Sequence, residues 1–256
     1  MSVPPAPSPE EAAAVARRAL PLLDLTDLSE ACTTTAVAGL CRDARADAAA
    51  AVCVWPRFVA QAADALRGSA VRIATVVNFP EGGEDALRTV AETETALAEG
   101  AHEIDLVLPY RALMRGDDGI ARAMCERVRA ARGLASGPQF VLKVILETGV
   151  LAEPAPIARA GRLALDAGAD FLKTSTGKTP VSATVEAADA MFAAIRESGR
   201  PAGLKVSGGL RTVADAARYL ALADRAMGAA WVGPATFRIG ASSLHRDLVR
   251  ARDAGA

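Results

Sequence analysis

Lysine is scarce in this chain, which has only four lysines among its 29 lysine and arginine residues. Three of them, Lys143, Lys173 and Lys205, fall in the apolar, strand-like runs FVLKVILE, DFLKTS and GLKVSG. Burying a charge without a function or a partner in such a run would cost folding free energy. An amine can lose its proton and attack a carbonyl carbon, whereas a guanidinium cannot. The pattern therefore indicates that these lysines carry chemistry.

Other shortages exclude several classes of protein. The net charge is −1 and no basic tract is interleaved with aromatics, so binding to nucleic acid or a membrane surface is not expected. No apolar run approaches the roughly 20 residues that span a bilayer. Two histidines without motif spacing argue against a histidine-rich zinc site, and four cysteines without CxxC spacing favour a reducing cytoplasm.

The composition is that of an ordinary globular protein, with 51% hydrophobic and 23% charged residues. A length of 256 residues is typical of an eight-unit α/β barrel. No linker divides the chain, and residues 133–139 are predicted to be only a loop. We expect one domain over residues 1–256, with a flexible lead at 1–8 rather than a signal peptide and a C-terminal tail at 248–256.

Short β-branched runs alternate with alanine-rich stretches of helical periodicity along the chain. Strands are predicted at residues 20–26, 51–55, 71–77, 103–109, 140–147, 170–175, 203–208 and 229–233. Helices are predicted at residues 31–48, 57–67, 83–99, 111–133, 154–167, 183–198 and 211–223, with a last one from about Ser243. Strict alternation implies a parallel sheet, and eight repeats favour a closed barrel.

In a parallel barrel the functional site lies at the carboxyl ends of the strands. Period-two alternation places the lysines of strands five to seven on the inward face, with Asp105 on strand four beside them. A second ammonium beside Lys173 disfavours its protonated form, and partial burial adds to this effect. The alternative is a structural network of buried ion pairs. In that network the lysines would pair with Glu103, Asp105 and Glu147.

Turns of small residues follow the last three predicted strands, in TSTGK (174–178), SGG (207–209) and IGASS (239–243). Backbone N–H groups in such turns approach an anion closely, and the start of a following helix adds a favourable dipole. Barrels often bind phosphate after strands seven and eight. Three such turns on adjacent strands predict a phosphorylated substrate or cofactor, and Lys178 is placed to add a positive charge beside them.

Seven segments of the chain carry a family resemblance. They are LDLT (23–26), CVWPRF (53–58), EIDLVLPY (103–110), LKVILETG (142–149), DFLKTSTGK (170–178), LKVSGGLRT (204–212) and RIGASSL (238–244). In order and spacing, from about residue 20 to residue 247, they resemble the signature segments of deoxyribose-phosphate aldolases. The resemblance implies a (β/α)8 TIM barrel and a class I aldolase without metal or cofactor. Such enzymes cleave 2-deoxy-D-ribose 5-phosphate reversibly into D-glyceraldehyde 3-phosphate and acetaldehyde.

The resemblance implies three catalytic residues. Lys173 matches the Schiff-base lysine, and Lys205 matches the second lysine, which lowers the pKa of the first and takes part in proton transfer. Asp105 matches an acid/base carboxylate that works through a water. Cys53 matches a pocket-lining cysteine, and we expect it to pack rather than act as a nucleophile, since no histidine near it in the sequence would activate it.

The resemblance also implies a substrate pocket. Asp24 and Thr26 match residues at the sugar-hydroxyl end, and Lys143 matches a strand lysine that supports the charge network. The phosphate cup corresponds to Gly177, Lys178, Gly208, Gly209, Gly240, Ser242 and Ser243.

Two departures from the family pattern are visible. Some members end in a tail whose terminal tyrosine assists proton transfer, whereas this sequence ends in RDAGA and its last tyrosine, Tyr219, falls in a predicted helix. We expect that role to be absent or performed differently. Trp55 stands where a smaller aromatic or a polar residue is expected, and we interpret it as packing against a neighbouring helix.

Three other functions stay open at this stage. A pyridoxal-phosphate enzyme would also use a lysine and a phosphate cup, and it predicts a coloured protein. A related barrel aldolase or thiolase would act on another phosphorylated carbonyl compound. A non-catalytic phosphosugar-binding barrel would need none of Lys173, Lys205 and Asp105. The sequence does not distinguish a monomer from a homodimer.

Overall fold

The structure, a computed structural model, describes residues 8–131 and 140–255. The loop predicted at 133–139 and nearly all of the lead predicted at 1–8 lie outside these residues. Eight parallel strands close into a barrel in the order in which they occur along the chain. Helices separate successive strands, so the predicted (β/α)8 barrel is confirmed.

Each strand of the barrel pairs in parallel with both of its neighbours, and the first strand pairs with the last. The strands are β1 (Leu23–Asp27), β2 (Ala51–Val54), β3 (Arg72–Val77), β4 (Glu103–Val107), β5 (Val141–Ile145), β6 (Phe171–Lys173), β7 (Gly203–Ser207) and β8 (Phe237–Ala241). The first seven lie within the predicted segments or extend one residue beyond them. Closure brings side chains from opposite walls into one interior.

The eighth strand is displaced from its predicted position at residues 229–233. Ala229–Trp231 forms a 3-10 turn, and the strand is Phe237–Ala241. The prediction is wrong because AAWVG is an uninterrupted apolar run, whereas FRIGA contains an arginine that resembles a surface residue. Phe237 faces the helices and stacks on Phe192, which turns Arg238 toward the barrel interior.

Helices cover the outside of the barrel. They are α1 (Pro9–Ala19), α2 (Thr34–Ala46), α3 (Val59–Ala65), α4 (Ala86–Ala98), α5 (Tyr110–Met114), α6 (Asp118–Ala130), α7 (Thr148–Leu151), α8 (Pro154–Asp166), α9 (Val185–Ser198), α10 (Val213–Met227) and α11 (Leu244–Ala254). The predicted helix before the first strand is α1, which begins with a capping box between Ser8 and Glu11. Within the described residues, no helix is both long and apolar enough to span a membrane.

Two predicted boundaries need correction. The single helix predicted at 111–133 is two helices, α5 and α6, because Gly116 takes a positive φ of 93° between them. Most of the tail predicted at 248–256 belongs to α11. Leu244 and Leu248 lie four residues apart on the same face of that helix and are fully buried, which fixes it against the barrel.

The barrel interior narrows at Phe171, at the start of β6. Its register partner on β7 is Gly203, and a Cβ built at residue 203 would lie 2.3 Å from the Phe171 ring. The glycine therefore provides the space that the ring occupies. Arg238 lies next to this ring, with its guanidinium carbon 5.7 Å from the ring centroid. The charged side chains of the site begin at this level.

We predict that Gly203→Ala destabilises the barrel by about 1–3 kcal/mol, because the new methyl group overpacks the interior against Phe171. Urea unfolding followed by circular dichroism measures the change. The control is Gly233→Ala, where an added Cβ meets nothing within 4 Å. The control should change the free energy of unfolding by less than about 0.5 kcal/mol. Equal losses in the two variants would show that Phe171 does not limit the space at residue 203.

Candidate active site

Charged side chains fill much of the barrel interior. Four cations and three carboxylates lie there, each at most 4% exposed. They are Asp24, Glu103, Asp105, Lys143, Lys173, Lys205 and Arg238. Strand register alone places like charges side by side, since Lys205 is the register partner of both Lys173 and Arg238. Carboxylates reaching across the barrel must therefore separate them.

Arg238 on β8 links two of these carboxylates. Its Nη1 donates to Asp24 Oδ1 at 2.6 Å, and its Nη2 donates to Glu103 Oε1 at 3.0 Å. The second oxygen of each carboxylate holds a lysine. Asp24 Oδ2 lies 2.6 Å from Lys205 Nζ, and Glu103 Oε2 lies 2.6 Å from Lys143 Nζ. Two chains of alternating charge therefore start at Arg238.

Asp105 on β4 closes the two chains into a ring. Its Oδ1 accepts from Lys143 Nζ at 2.8 Å, and its Oδ2 accepts from Lys205 Nζ at 2.8 Å. We call this closed set the ion ring. Its members are Arg238, Asp24, Lys205, Asp105, Lys143 and Glu103. Three cations balance three carboxylates within it.

Lys173 is attached to the ion ring but is not needed to close it. Its Nζ donates to the same Asp105 Oδ2 that accepts from Lys205, at 2.6 Å. Because the six ring members already balance, a protonated Lys173 is the surplus charge of the cluster. The structure thus agrees with both interpretations of the sequence. The buried ion-pair network exists, and Lys173 is an additional amine outside its charge balance.

The members of the ring are held in their charged forms. Burial alone would raise the pKa of Asp105, but Lys143, Lys173 and Lys205 hold that pKa well below its usual range. Burial likewise opposes the ionised forms of Asp24 and Glu103, yet the neighbouring cations lower both pKa values. For Lys143 and Lys205 burial acts in the opposite sense, and their carboxylate partners outweigh it and raise both pKa values.

Lys173 behaves differently from the ring lysines. Burial is the largest influence on it and lowers its pKa, and the Lys205 ammonium acts in the same direction. Asp105 opposes both effects but does not cancel them. The sequence-based interpretation gave the second ammonium the leading part, whereas burial contributes more. A lowered pKa increases the fraction of the neutral, nucleophilic amine near neutral pH.

A cleft of about 330 Å³ opens at the carboxyl ends of the strands. Most of the predicted site residues line it. These are Thr26, Lys173, Gly177, Lys178, Lys205, Gly208, Gly209, Gly240, Ser242 and Ser243. The other four, Asp24, Cys53, Asp105 and Lys143, are fully buried beneath the cleft instead of lining it. The predicted set therefore divides into an upper layer that can meet a ligand and a lower layer that supports it.

Cys53 belongs to the lower layer. Its Sγ lies 4.0 Å from Asp105 Oδ2, and it packs with Leu28, Ala74 and Val76 into a small apolar wall inside the barrel. Burial raises the pKa of the Cys53 thiol, which disfavours the thiolate that a nucleophile would need. This environment agrees with the expected packing role.

Two glycines provide space in the site. A Cβ at Gly240 would lie 3.1 Å from Lys205 Cε, so the glycine leaves room for the lysine side chain. The sequence analysis placed Gly240 in a turn, whereas Gly240 is the fourth residue of β8. Gly208 has a φ of +85°, and a Cβ there would lie 2.5 Å from Ser182 Oγ. The loops after β6 and β7 therefore touch at Gly208 without a side chain between them.

Glu147 holds the loop that follows β6. It is fully buried just beyond β5 and takes a left-handed backbone conformation with a φ of 56°. Its carboxylate accepts from Thr176 Oγ1 at 2.5 Å and from Thr179 Oγ1 at 3.2 Å. The sequence analysis named Glu147 as a possible partner of the lysines, but in the described part of the chain its side chain accepts from these threonines. The left-handed turn directs the side chain toward the loop.

Lys178 reaches across the mouth of the cleft. Its Nζ donates to the carbonyl of Leu28 at 2.8 Å and lies 5.9 Å from the centroid of the Trp55 ring. Trp55 Nε1 donates to the carbonyl of Ser29 at 3.0 Å, and its ring meets Phe79 edge-on at 5.5 Å. Trp55 is thus a packing residue, and the partners named here lie in the loops after β1 and β3.

The two histidines have structural partners. His102 Nδ1 accepts from the backbone N–H of Ile73 at 3.1 Å, and His245 Nε2 lies 2.7 Å from Asp47. Across residues 8–131 and 140–255, no group of three or more histidine, cysteine, aspartate or glutamate side chains is arranged to hold a metal ion.

Arg238 and the loop Asp27–Ser29 are site residues that the sequence pattern did not predict. Arg238 was missed because the eighth strand was placed too early, although the alternation in FRIGA puts it on the same face as Gly240. Asp27–Ser29 lines the cleft directly after β1. The rule that every strand of a barrel contributes its following loop to the site would have found that segment.

A closed parallel barrel with a cleft at the carboxyl ends of its strands is the layout of a barrel enzyme. The lysine-lined floor of this cleft narrows the class further. The chain belongs to the DeoC/LacD family of aldolases, whose model matches residues 18–244. It is therefore an aldolase, a lyase.

Individual relatives agree with this assignment. The chain is 50% identical over 250 residues to a deoxyribose-phosphate aldolase of Agrobacterium fabrum (strain C58 / ATCC 33970), covering 96% of this chain and 94% of that protein. A crystal structure assigned as a deoxyribose-phosphate aldolase from Toxoplasma gondii ME49 matches with a TM-score of 0.85 at 28% identity, covering 96% of this chain and 99% of that chain. The tetrameric deoxyribose phosphate aldolase from Aeropyrum pernix matches with a TM-score of 0.68 at 26% identity, covering 96% and 92%.

We predict that Lys143→Met destabilises the protein by roughly 3–5 kcal/mol, because it leaves Glu103 and Asp105 short of one buried cation. Denaturant unfolding at pH 7 measures the loss. The control is Arg67→Ala, which removes an ion pair with Asp64 whose side chains are 81% and 75% exposed. That change should cost less than about 1 kcal/mol. A Lys143→Met loss no larger than the control would show that the ring is not a cooperative unit.

Proposed function

We propose that this aldolase cleaves 2-deoxy-D-ribose 5-phosphate reversibly to D-glyceraldehyde 3-phosphate and acetaldehyde, through a Schiff base on Lys173. The observation that carries the proposal is the setting of Lys173. It lines the cleft while only 3% exposed, and it is the surplus cation beside a balanced ring. The 50% identity to the Agrobacterium fabrum enzyme supports the choice of substrate.

The reaction follows from an amine in this position. Neutral Lys173 attacks the C1 aldehyde of the open-chain sugar, and loss of water gives an iminium. The C3 hydroxyl then loses its proton and the C2–C3 bond breaks, with its electron pair flowing toward the iminium nitrogen to form an enamine. Glyceraldehyde 3-phosphate leaves. Protonation of the enamine at C2 and hydrolysis release acetaldehyde and restore the amine.

Asp105 and Lys205 are the residues that we assign to proton transfer. Lys205 lines the cleft, whereas Asp105 lies behind the amines of Lys173 and Lys205 and is fully buried. Asp105 therefore exchanges protons with the substrate through a water or through Lys205 rather than by direct contact. The carboxylates of Asp105 and Asp24 keep Lys205 protonated, so Lys205 also supplies the positive field that favours a neutral Lys173.

The phosphate group is assigned to the small-residue loops at one end of the cleft. Gly177, Gly208 and Gly209 line it there, and Ser243 is the N-cap residue of α11, whose helix dipole favours an anion. Lys178 adds positive charge once it exchanges its contact with the Leu28 carbonyl for the phosphate. Binding energy at this end orients the reacting end above Lys173.

Thr26 and Asp24 act in different ways in this proposal. Thr26 lines the cleft and is our candidate for contact with a sugar hydroxyl. Asp24 supports the reaction from beneath, because its side chain holds Lys205 and Arg238. We also propose a cytoplasmic location, which the four unpaired, buried cysteines support.

We expect sodium borohydride, added together with 2-deoxyribose 5-phosphate, to trap a stable secondary amine on Lys173. Peptide mass spectrometry locates the modified residue. Lys173→Leu should abolish trapping, whereas Lys178→Met should still show the adduct when substrate is saturating. An adduct on Lys205 or Lys143 would reassign the nucleophile. No adduct in a folded protein would contradict the Schiff-base mechanism.

A second prediction concerns the phosphate end. Gly208→Ala should raise the KM for 2-deoxyribose 5-phosphate about tenfold or more, since its Cβ overlaps Ser182 and displaces the loop after β6. Gly209→Ala is the matched control, because it has the same φ of +85° but an added Cβ meets nothing within 4 Å. Steady-state kinetics on both variants measures the difference. Equal changes in KM would show that the contact between the two loops does not shape the phosphate site.

A further inference from the structure

Hydrogen bonds and ring packing fix the position of the Arg238 side chain. Its two Nη atoms donate to Asp24 and Glu103, and its Nε donates to the carbonyl of Pro234. The Phe171 ring lies below the guanidinium at 5.7 Å, and the residue is only 4% exposed. A guanidinium does not lose its proton in proteins. Arg238 therefore contributes a fixed positive charge at a fixed place, away from the cleft.

The charge balance of the barrel depends on this arginine. With it, three cations offset three carboxylates in the ion ring, and Lys173 is left over. Without it, the ring would keep two cations, Lys143 and Lys205, against three carboxylates, Asp24, Glu103 and Asp105. The remaining negative charge would then favour a proton on Lys173, the amine of the cluster that lies outside the ring.

The geometry of Arg238 also explains why a lysine would not serve as well. Its planar fork reaches Asp24 and Glu103 at the same time, at 2.6 and 3.0 Å. Asp24 in turn holds Lys205 at 2.6 Å, and Glu103 holds Lys143 at 2.6 Å. A single ammonium is a point charge, so it would anchor one arm of the ring better than the other.

We propose that Arg238 is a positioning residue for the aldolase reaction, whose fixed charge completes the ion ring and so leaves Lys173 as the amine that gives up its proton. The inference rests on the proposed function for its kinetic consequence only. Arg238 is not among the residues that line the cleft, and it acts on Lys173 through Asp24, Lys205 and Asp105.

The groups that influence Lys173 come from several strands around the barrel. Asp105 of β4, Lys205 of β7 and Cys53 of β2 act on it directly. The other charged groups, Asp24 of β1, Glu103 of β4, Lys143 of β5 and Arg238 of β8, are joined to Asp105 and Lys205 through the ion ring. Arg72 of β3 touches the cluster from outside, with its Nε 3.1 Å from Glu103 Oε1. Its side chain is 43% exposed, so solvent screens its charge. Arg72 therefore provides a matched control on the same carboxylate.

The test measures how readily Lys173 loses its proton, in the absence of substrate. The whole chain is treated with 1-fluoro-2,4-dinitrobenzene over a range of pH, and the rate of arylation at Lys173 is followed by peptide mass spectrometry. In Arg238→Met we expect the midpoint of this rate to move to higher pH by about one unit or more. The acid limb of kcat/KM should move with it. Arg238→Lys should shift the midpoint less, and Arg72→Met should leave it within about 0.3 units.

A compensating variant keeps the test decisive if Arg238→Met folds poorly. Glu103→Gln removes one negative charge from the ring and should move the midpoint to lower pH. The double variant Arg238→Met with Glu103→Gln restores the balance, and its midpoint should return toward that of the unaltered protein. Circular dichroism establishes that each variant is folded.

The proposal is overturned if Arg238→Met, or the double variant relative to Glu103→Gln alone, leaves the Lys173 midpoint unchanged in a folded protein. A loss of activity with no change of midpoint would also overturn it, because a purely structural role predicts that result. Arylation needs no substrate, so this outcome is independent of whether borohydride trapping succeeds.

Discussion

Asp105 offers two oxygens to three buried amines, and the rest of the site depends on that arrangement. A buried carboxylate without partners would be strongly destabilising, and so would three buried ammonium groups. The chain resolves both problems by alternating charges around the barrel, with Arg238 at one side of the ring and Asp105 at the other. Only a closed barrel allows this, since the ring takes members from β1, β4, β5, β7 and β8. The charged site therefore depends directly on closure of the barrel.

The ring also explains why the cleft has two layers. The lower layer is buried and its charged groups pair with one another, so it has little to offer a ligand directly. The upper layer offers hydroxyls, backbone N–H groups beside glycines, and the charge of Lys178, which suit a phosphorylated sugar. Lys173 and Lys205 connect the two layers, because both residues line the cleft while their amines donate to Asp105 beneath it. Chemistry is expected where the two layers meet.

Much of this could be predicted from the sequence for simple physical reasons. Period-two alternation in short strands fixes which side chains point inward, and that rule places Lys143, Lys173 and Lys205 around Asp105. The same rule fails where a strand is wrongly located, as it was for Arg238 in β8. The partners of Glu147 could not be foreseen, because a left-handed residue directs its side chain away from the strand alternation. The contact of Lys178 with Leu28 joins residues 150 apart in the chain, and no local pattern encodes it.

The central claim is that the barrel separates its amines by charge state, with Lys173 neutral far more readily than the lysines of the ring. The presence of only four lysines allows a direct test by NMR of protein labelled with ¹³C at the lysine ε-carbons, each signal being assigned by a single substitution. Titration should show that Lys173 loses its proton below the ordinary lysine pKa of about 10.4, while Lys143 and Lys205 stay protonated to the highest pH at which the protein is folded. A Lys173 signal that titrates together with those of Lys143 and Lys205 would contradict the account.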